Sequence, residues 1–325
     1  MWGIQKSIDN LKKGPLVDTF TPLSYKEKIK YFLPREGATN PNTWSTNKAY
    51  TFIDYSPHVF RKIRHHFGIS DDEFSISLGI EQLVLSIIFS GQFRSYQQIG
   101  SYGKSGSIFF YSYDGQFMVK TVSSKEANCL TSNLALFLDH MTGGPTALVP
   151  IIALYELTNT SGSMFVIVMK NLFPPTNKLD SLYDLKGSEA GRYTPSLERK
   201  PGVPLKDLDF QRDISLSPIV RDSFFKQLTR DSTFLCQLEV MDYSVLLGIH
   251  NVNSDTTPLE NKSVYDDGRN GIYSKDGTEL YYVGIIDYLV RFGTRKFLEN
   301  QFKGLIEDKD KISVQHPTIY SKRFL

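Results

Sequence analysis

Two aspartates sit where a chain rarely places charge. Asp242 lies within residues 241–250 (MDYSVLLGIH) and Asp287 within residues 283–289 (VGIIDYL), each a lone carboxylate in an apolar run. A capping or turn role accounts for one such residue more readily than for both, because a carboxylate taken out of water needs partners. Two lysines are placed comparably. Lys120 interrupts the apolar run FMVKTV, and Lys186 precedes a glycine in residues 183–188 (YDLKGS). Further upstream, residues 102–107 (YGKSGS) contain Gly103, Ser105, Gly106 and Ser107, where glycines let backbone N–H groups approach a phosphate. Phosphoryl transfer requires a cationic cradle for the β and γ phosphates, a carboxylate that holds magnesium, and a carboxylate that orients the attacking hydroxyl. The chain carries all three.

Two familiar phosphate-handling motifs are excluded. A Walker A loop needs a glycine where this chain has Gln98, and the segment directly after residues 102–107 reads as a strand rather than a helix. The apolar run that delivers Asp287 resembles the strand before the metal-binding aspartate of protein kinases, but Tyr288 replaces the glycine that comes next there. No His-Arg-Asp precedes the catalytic candidate, and Leu247 stands where a metal-binding Asn would follow Asp242. An ordinary protein kinase is therefore not indicated.

These residues need elements to hold them. Residues 107–122 read as a hairpin closed by Asp114–Gly115, with Lys120 near the end of its second strand. Residues 125–141 space their apolar side chains as a helix whose polar face offers Glu126 to Lys120. Residues 147–157 and 163–171 complete an antiparallel sheet, and residues 56–67 form an amphipathic helix from Pro57 to just before Gly68. Beyond them come a helical pattern over 219–238, an apolar segment at 243–249, and a strand at 280–286 that ends in Asp287. Turn formers and charge mark loops at 34–47, 188–213 and 253–277. Hairpin, helix and strands in this order describe the N-lobe of a kinase and an α+β class.

Bulk properties narrow the partners. At 325 residues the chain exceeds the ~250–300 at which one core stops growing, so two lobes are expected. A net charge of +2 excludes a nucleic-acid binder announced by overall charge, leaving local clusters to attract anionic surfaces. Residues 291–325 form one, with eight Lys or Arg against four acids. The basic face Arg61, Lys62, Arg64, His65 and His66 is a second candidate for lipid contact, against the ordinary reading of a solvated face. Cys129 and Cys236, far apart in apolar stretches, suggest two buried thiols. Apolar runs fall short of the ~18 residues of a membrane span, so membrane contact is expected to be peripheral and the protein cytoplasmic.

Taken together, residues 102–107, Lys120–Thr121, YDLKGS, residues 206–210 (KDLDF), MDYSVLLGIH, residues 284–287 (GIID) and residues 312–324 (ISVQHPTIYSKRF) resemble the phosphatidylinositol phosphate kinases, most closely their type I members that act on the 4-phosphate. The resemblance begins near residue 52 and runs to residue 325. It implies a two-lobed kinase-like fold: an extension over residues 1–50, an N-lobe with an antiparallel sheet over 51–173, and a smaller mixed C-lobe over 174–325. It further implies ATP and Mg2+ as cofactors, and as partner a phosphoinositide in an anionic membrane surface, with a homodimer left open. Carried over residue by residue, Lys120 and Lys186 contact the ATP phosphates, Glu126 pairs with Lys120, Asp242 is the catalytic aspartate and Asp287 the magnesium ligand. Residues 169–173 are the hinge for adenine. Residues 288–311 are similar to the specificity loop, in which Glu299, Lys303 and Lys296 take the type I positions. Type I members usually show two adjacent lysines where this chain has Lys296 and Phe297, and a threonine where it has Glu189. The alternatives are 3-phosphate 5-kinase, 5-phosphate 4-kinase, and a catalytically silent phosphoinositide-binding scaffold.

Overall fold

The computed structural model describes residues 1–33, 50–79, 97–99, 107–159, 162–173, 178–200, 202–252, 271–293 and 315–325. They divide into two compact units. The first comprises Met1–Thr142 and Pro150–Asn171, the second Gly143–Val149 and Leu172–Leu325.

The first unit opens with α1 (Trp2–Leu11), β1 (Lys28–Leu33), β2 (Tyr50–Tyr55), α2 (Pro57–His66) and α3 (Asp71–Leu78), elements mostly upstream of the chemistry-bearing motifs. It continues through β3 (Gln97–Ile99), β4 (Phe109–Tyr111), β5 (Phe117–Val122), α4 (Ser124–Ser132), α5 (Leu134–Thr142), β6 (Ile151–Asn159) and β7 (Gly162–Lys170). The strands form a seven-stranded antiparallel sheet in the order β1-β2-β6-β7-β5-β4-β3. The expected hairpin is β4–β5. Its turn puts Gly115 at φ +70°, a conformation costly for any side chain, and Asp114 accepts from the Ser112 hydroxyl at 2.6 Å. The helix expected over 125–141 is broken into α4 and α5 at Asn133, whose side-chain amide donates to the Cys129 carbonyl at 2.8 Å and caps the first helix. The strand expected over 147–157 starts only at Ile151, because Pro150 lacks the N–H a ladder requires.

Two arginines expected on an outer face point inward. On α2, Val59, Phe60 and Ile63 are buried, as their spacing requires, but so are Arg61 and Arg64. Arg61 pairs with Asp71 at 2.7 Å and donates to the carbonyls of Leu11, Gly14 and Pro15. Arg64 donates to the Ile152 carbonyl at 2.9 Å and lies over the Phe74 ring. Guanidinium groups with that many acceptors can be buried, and these two are unavailable to lipid. Cys129 is buried, whereas Cys236 is only partly so.

Nearby, Ser7 of α1 donates to the buried carboxylate of Asp54 on β2. Burial pushes the Asp54 carboxyl up to about 7, opposed by the Ser7 hydrogen bond and the Arg64 charge. The folded chain thus retains this proton to a higher pH than the unfolded one, so the stability it contributes is complete below the ordinary value of 3.8 and lost as pH rises through about 7. Between roughly pH 4 and 7 this group should remove on the order of 2–4 kcal/mol. Asp54→Asn, titrated in parallel by denaturant unfolding, should show a correspondingly flatter profile; superimposable slopes would rule out the titration.

The second unit contains β8 (Ser181–Leu185), α6 (Pro218–Gln237), β9 (Ser244–Asn251), β10 (Ile272–Tyr273), β11 (Glu279–Ile286) and α7 (Pro317–Phe324). Both helices have Pro at the start, where its missing N–H costs nothing. The strands form an antiparallel sheet ordered β10-β11-β9-β8. Tyr183, Val220, Leu247, Ile249, Ile272 and Tyr281 make its core. Gly143–Val149 joins this unit through the Leu148–Ile285 parallel bridge, and Asp231, fully buried on α6, anchors it by accepting from the Thr146 hydroxyl at 2.7 Å and the Ala147 amide at 2.6 Å.

Candidate active site

Strand register brings three of the sequence-predicted residues together. Leu185, the last residue of β8, is paired with Val245 near the start of β9, and Ser244 is paired with Ile286, the last residue of β11. Lys186 follows β8, Asp242 lies two residues before β9, and Asp287 follows β11. All three therefore occupy one end of the four-stranded sheet.

The backbone is unusual there. Asp242 has φ +65° and Asp287 φ +61°, left-handed conformations uncommon outside glycine and best tolerated by Asp and Asn. Such strain tends to collect at functional positions, where surrounding structure can maintain it. The Lys186 ammonium donates to Asp242 Oδ1 at 2.7 Å and to the Asp242 backbone carbonyl at 2.8 Å. Two of its three N–H groups are thereby engaged, leaving one for a phosphate oxygen. Asp287 is exposed at the strand end. Among the described residues no group of three or more His, Cys, Asp or Glu could hold a metal by itself. Mg2+ that arrives with a nucleotide needs only one or two protein carboxylates, the phosphates and water completing its octahedron, and Asp287 fits that requirement.

Asp207, whose motif KDLDF carried no assigned role in the sequence, fixes the Lys186 loop. Its Oδ1 accepts from the amides of Lys186 at 2.8 Å, Gly187 at 2.7 Å and Ser188 at 3.4 Å, while Oδ2 pairs with Arg192 Nε at 2.6 Å. Arg192 also pairs with Asp184 at 3.3 Å. An acid a short loop away from YDLKGS was the available signal. Only the fold reveals that it gathers three consecutive amides.

Gly248 and Gly284 have a packing role. A Cβ on Gly248 would lie 2.6 Å from Phe173, and one on Gly284 2.6 Å from Val149 and 3.0 Å from Leu172. The expected hinge is thus divided: Met169 and Lys170 end β7, while Leu172 and Phe173 lie against the β9–β11 sheet.

In the first unit Lys120 is buried on β5, opposite Phe109, with its Nζ 5.4 Å from that ring's centroid. Glu126 is engaged at the start of its own helix. Its Oε2 accepts from the Ser123 amide at 2.7 Å and hydroxyl at 2.6 Å, closing a capping box at the start of α4, and among the described residues it forms no ion pair with Lys120. The Ser-x-x-Glu spacing was the overlooked signal. Ser107 lies just before β4; Gly103, Ser105 and Gly106 of the phosphate-approach segment, like Lys296, Glu299 and Lys303, lie outside the described residues. Among the described residues no helix is long and apolar enough to cross a membrane.

Comparison with known proteins agrees with the motifs. The family model for phosphatidylinositol-4-phosphate 5-kinase matches residues 90–271 and 253–325. A probable phosphatidylinositol phosphate kinase of Dictyostelium discoideum is 31% identical over 379 residues, covering 93% of this chain and 51% of the relative. Phosphatidylinositol 4-phosphate 5-kinase type-1 alpha of Homo sapiens is 32% identical over 365 residues, covering 99% of this chain and 62% of the relative. The type-1 beta enzyme of Gallus gallus is 31% identical over 368 residues, covering 99% and 65% respectively. The chain thus spans between half and two thirds of the length of these relatives. With the family model matching most of it and the motif residues gathered at one sheet end, the chain belongs to the phosphatidylinositol-4-phosphate 5-kinase family.

Proposed function

We propose that the chain is an ATP-dependent lipid kinase that phosphorylates the 5-hydroxyl of phosphatidylinositol 4-phosphate, giving phosphatidylinositol 4,5-bisphosphate. The observation that carries this reading is the convergence of Lys186, Asp242 and Asp287, two of them in left-handed backbone, at one end of the second sheet. Asp242 orients the inositol hydroxyl and receives its proton as the oxygen attacks the γ-phosphorus. The bond from that phosphorus to the bridging oxygen breaks and ADP leaves. Lys186, held by Asp242 and the Asp207 loop, donates to a phosphate oxygen, and the sequence resemblance assigns Lys120 to ATP phosphate as well. Mg2+, when bound, neutralises charge on the β and γ phosphates, and Asp287 is the carboxylate that would hold it.

The headgroup preference rests on the sequence resemblance that gives Glu299 the type I position. An acid on a lipid-facing segment opposes attraction to an anionic bilayer, so Glu299 is assigned to selection: it orients nearby lysines or rejects a misplaced phosphate. The basic excess over residues 291–325 supplies docking, each charge contributing about 1 kcal/mol near such a surface and weakening with salt. The test is headgroup analysis of products from liposomes containing all three phosphatidylinositol monophosphates. The parent should make mainly the 4,5-bisphosphate from the 4-phosphate. Glu299→Ala should move preference toward the 5-phosphate, with liposome binding unchanged or tighter. If both proteins rank the three lipids identically, the 4-phosphate assignment loses its support.

A further inference from the structure

The helix α7 contributes none of the residues assigned to the reaction, yet it touches the two segments that carry Asp242 and Lys186. Tyr320, fully buried, donates its hydroxyl hydrogen to the backbone carbonyl of Tyr243, the residue after Asp242. The Tyr243 ring meets Tyr320 and Phe324 edge-on, each at 4.7 Å between centroids. Its hydroxyl lies 3.2 Å from Ser232 Oγ on α6, which lies 2.6 Å from Ser321 Oγ. On the other side, the Arg323 carbonyl is 3.2 Å from where a Cβ on Gly187 would stand, and Gly187 itself has φ +65°. The last turn of α7 therefore lies against the residue that follows Lys186.

From this geometry we propose that α7 is a positioning element for phosphoryl transfer: the Tyr320 hydroxyl holds the Asp242–Tyr243 turn, and the backbone at Arg323 abuts the Lys186–Gly187 loop. The inference rests on the kinase reading above and adds a residue to it. A left-handed aspartate persists only while its surroundings over-determine it, and here the fixed point is a hydrogen bond to the adjoining carbonyl. Burial, and next the negative charge of Asp242, raise the Tyr320 pKa well above 10.0, so its hydroxyl stays a donor at neutral pH. A small displacement of reacting groups can cost on the order of 100-fold in rate, so a remote hydroxyl has this much leverage.

The experiment uses the full chain with Tyr320→Phe, which removes the hydroxyl and keeps the ring stack, and Ser321→Ala, which cuts the same network at Ser232. Tyr320→Phe should lower kcat by about 10- to 100-fold while KM for ATP changes by less than about twofold. Amides over residues 241–246 should exchange hydrogen about tenfold faster than in the parent. Ser321→Ala should shift both readouts in the same direction by less. Parent-like kcat and exchange in Tyr320→Phe would overturn the proposal. So would a loss of kcat that follows the loss of melting temperature and recovers on cooling, the signature of a merely structural hydroxyl. A parent that phosphorylates none of the lipids would sink the kinase reading, and the exchange comparison would then decide the positioning role alone.

Discussion

Asp287→Asn should abolish turnover on every phosphatidylinositol monophosphate while the protein melts as the parent does. The substitution isolates charge because it spares conformation. At φ +61° Asp287 occupies a region that Asn tolerates as readily as Asp, so the strand end should be preserved, whereas alanine there would add backbone strain. A neutral amide is a far poorer ligand for a hard cation than a carboxylate, so the phosphates would lose their protein-held counter-charge. Nucleotide binding measured with and without magnesium gives a second readout: the parent should bind ATP more tightly with magnesium, and the variant should lose most of that gain. Residual turnover within about tenfold of the parent would overturn the metal assignment.

Asp242→Asn should lower kcat by about 10²- to 10⁴-fold, the range of general acid–base contributions, and leave ATP affinity near that of the parent. Asn again suits the left-handed backbone, at φ +65°, and its side-chain oxygen can still accept from the Lys186 ammonium, so the 2.7 Å contact has a successor. What disappears is the negative charge that orients the lipid hydroxyl and takes its proton. Single-turnover measurements with saturating ATP would place the defect in the chemical step. Loss of ATP binding would instead assign Asp242 to the metal or to the architecture of the Lys186 loop.

The residues to which the chemistry is assigned stand out in the sequence, and so do the elements nearest to them. A charge inside an apolar run is a local anomaly, and Asp242, Asp287 and Lys120 stand out without a neighbour in space. The β4–β5 hairpin announced itself through Asp114–Gly115, the α2 and α6 regions through periodicity, and β11 as a short strand ending in Asp287, whereas residues 243–249, read only as an apolar segment, form most of β9. The sequence is least decisive where one residue type serves two physical ends. Glu126 can pair with a lysine or cap a helix, and three-residue spacing from Ser123 favoured the cap. Arg61 and Arg64 read as a polar face because sequence does not show the carbonyls that would satisfy them. Asp207 stayed without a role because it reaches the amides of Lys186, Gly187 and Ser188 only once Leu205 folds back to pair alongside Tyr183 on β8. A long-range hydrogen bond such as that from Tyr320 to Tyr243 leaves no periodic trace at all.

The seven residues Gly143–Val149 have a consequence for how the molecule can be made and cut. They are synthesised between α5 and β6, yet they complete the edge of β11, far downstream, where the Val149 amide donates to the Ile285 carbonyl at 3.0 Å and the Ile285 amide to the Ala147 carbonyl at 2.7 Å. A nascent chain cannot close the second sheet until its late strand emerges, a high-contact-order event that should be slow compared with helix formation. Severing the gene before Leu172 would leave a fragment in which Ile285, still beside Val245 of β9, loses the Ala147 and Val149 partners of its amide and carbonyl, and the buried Asp231 carboxylate loses the Thr146 and Ala147 donors. Contiguous dissection is thus the wrong way to isolate this unit. A circular permutant that reconnects residues 143–149 to it would respect the order in which the backbone is hydrogen-bonded rather than the order in which it is translated.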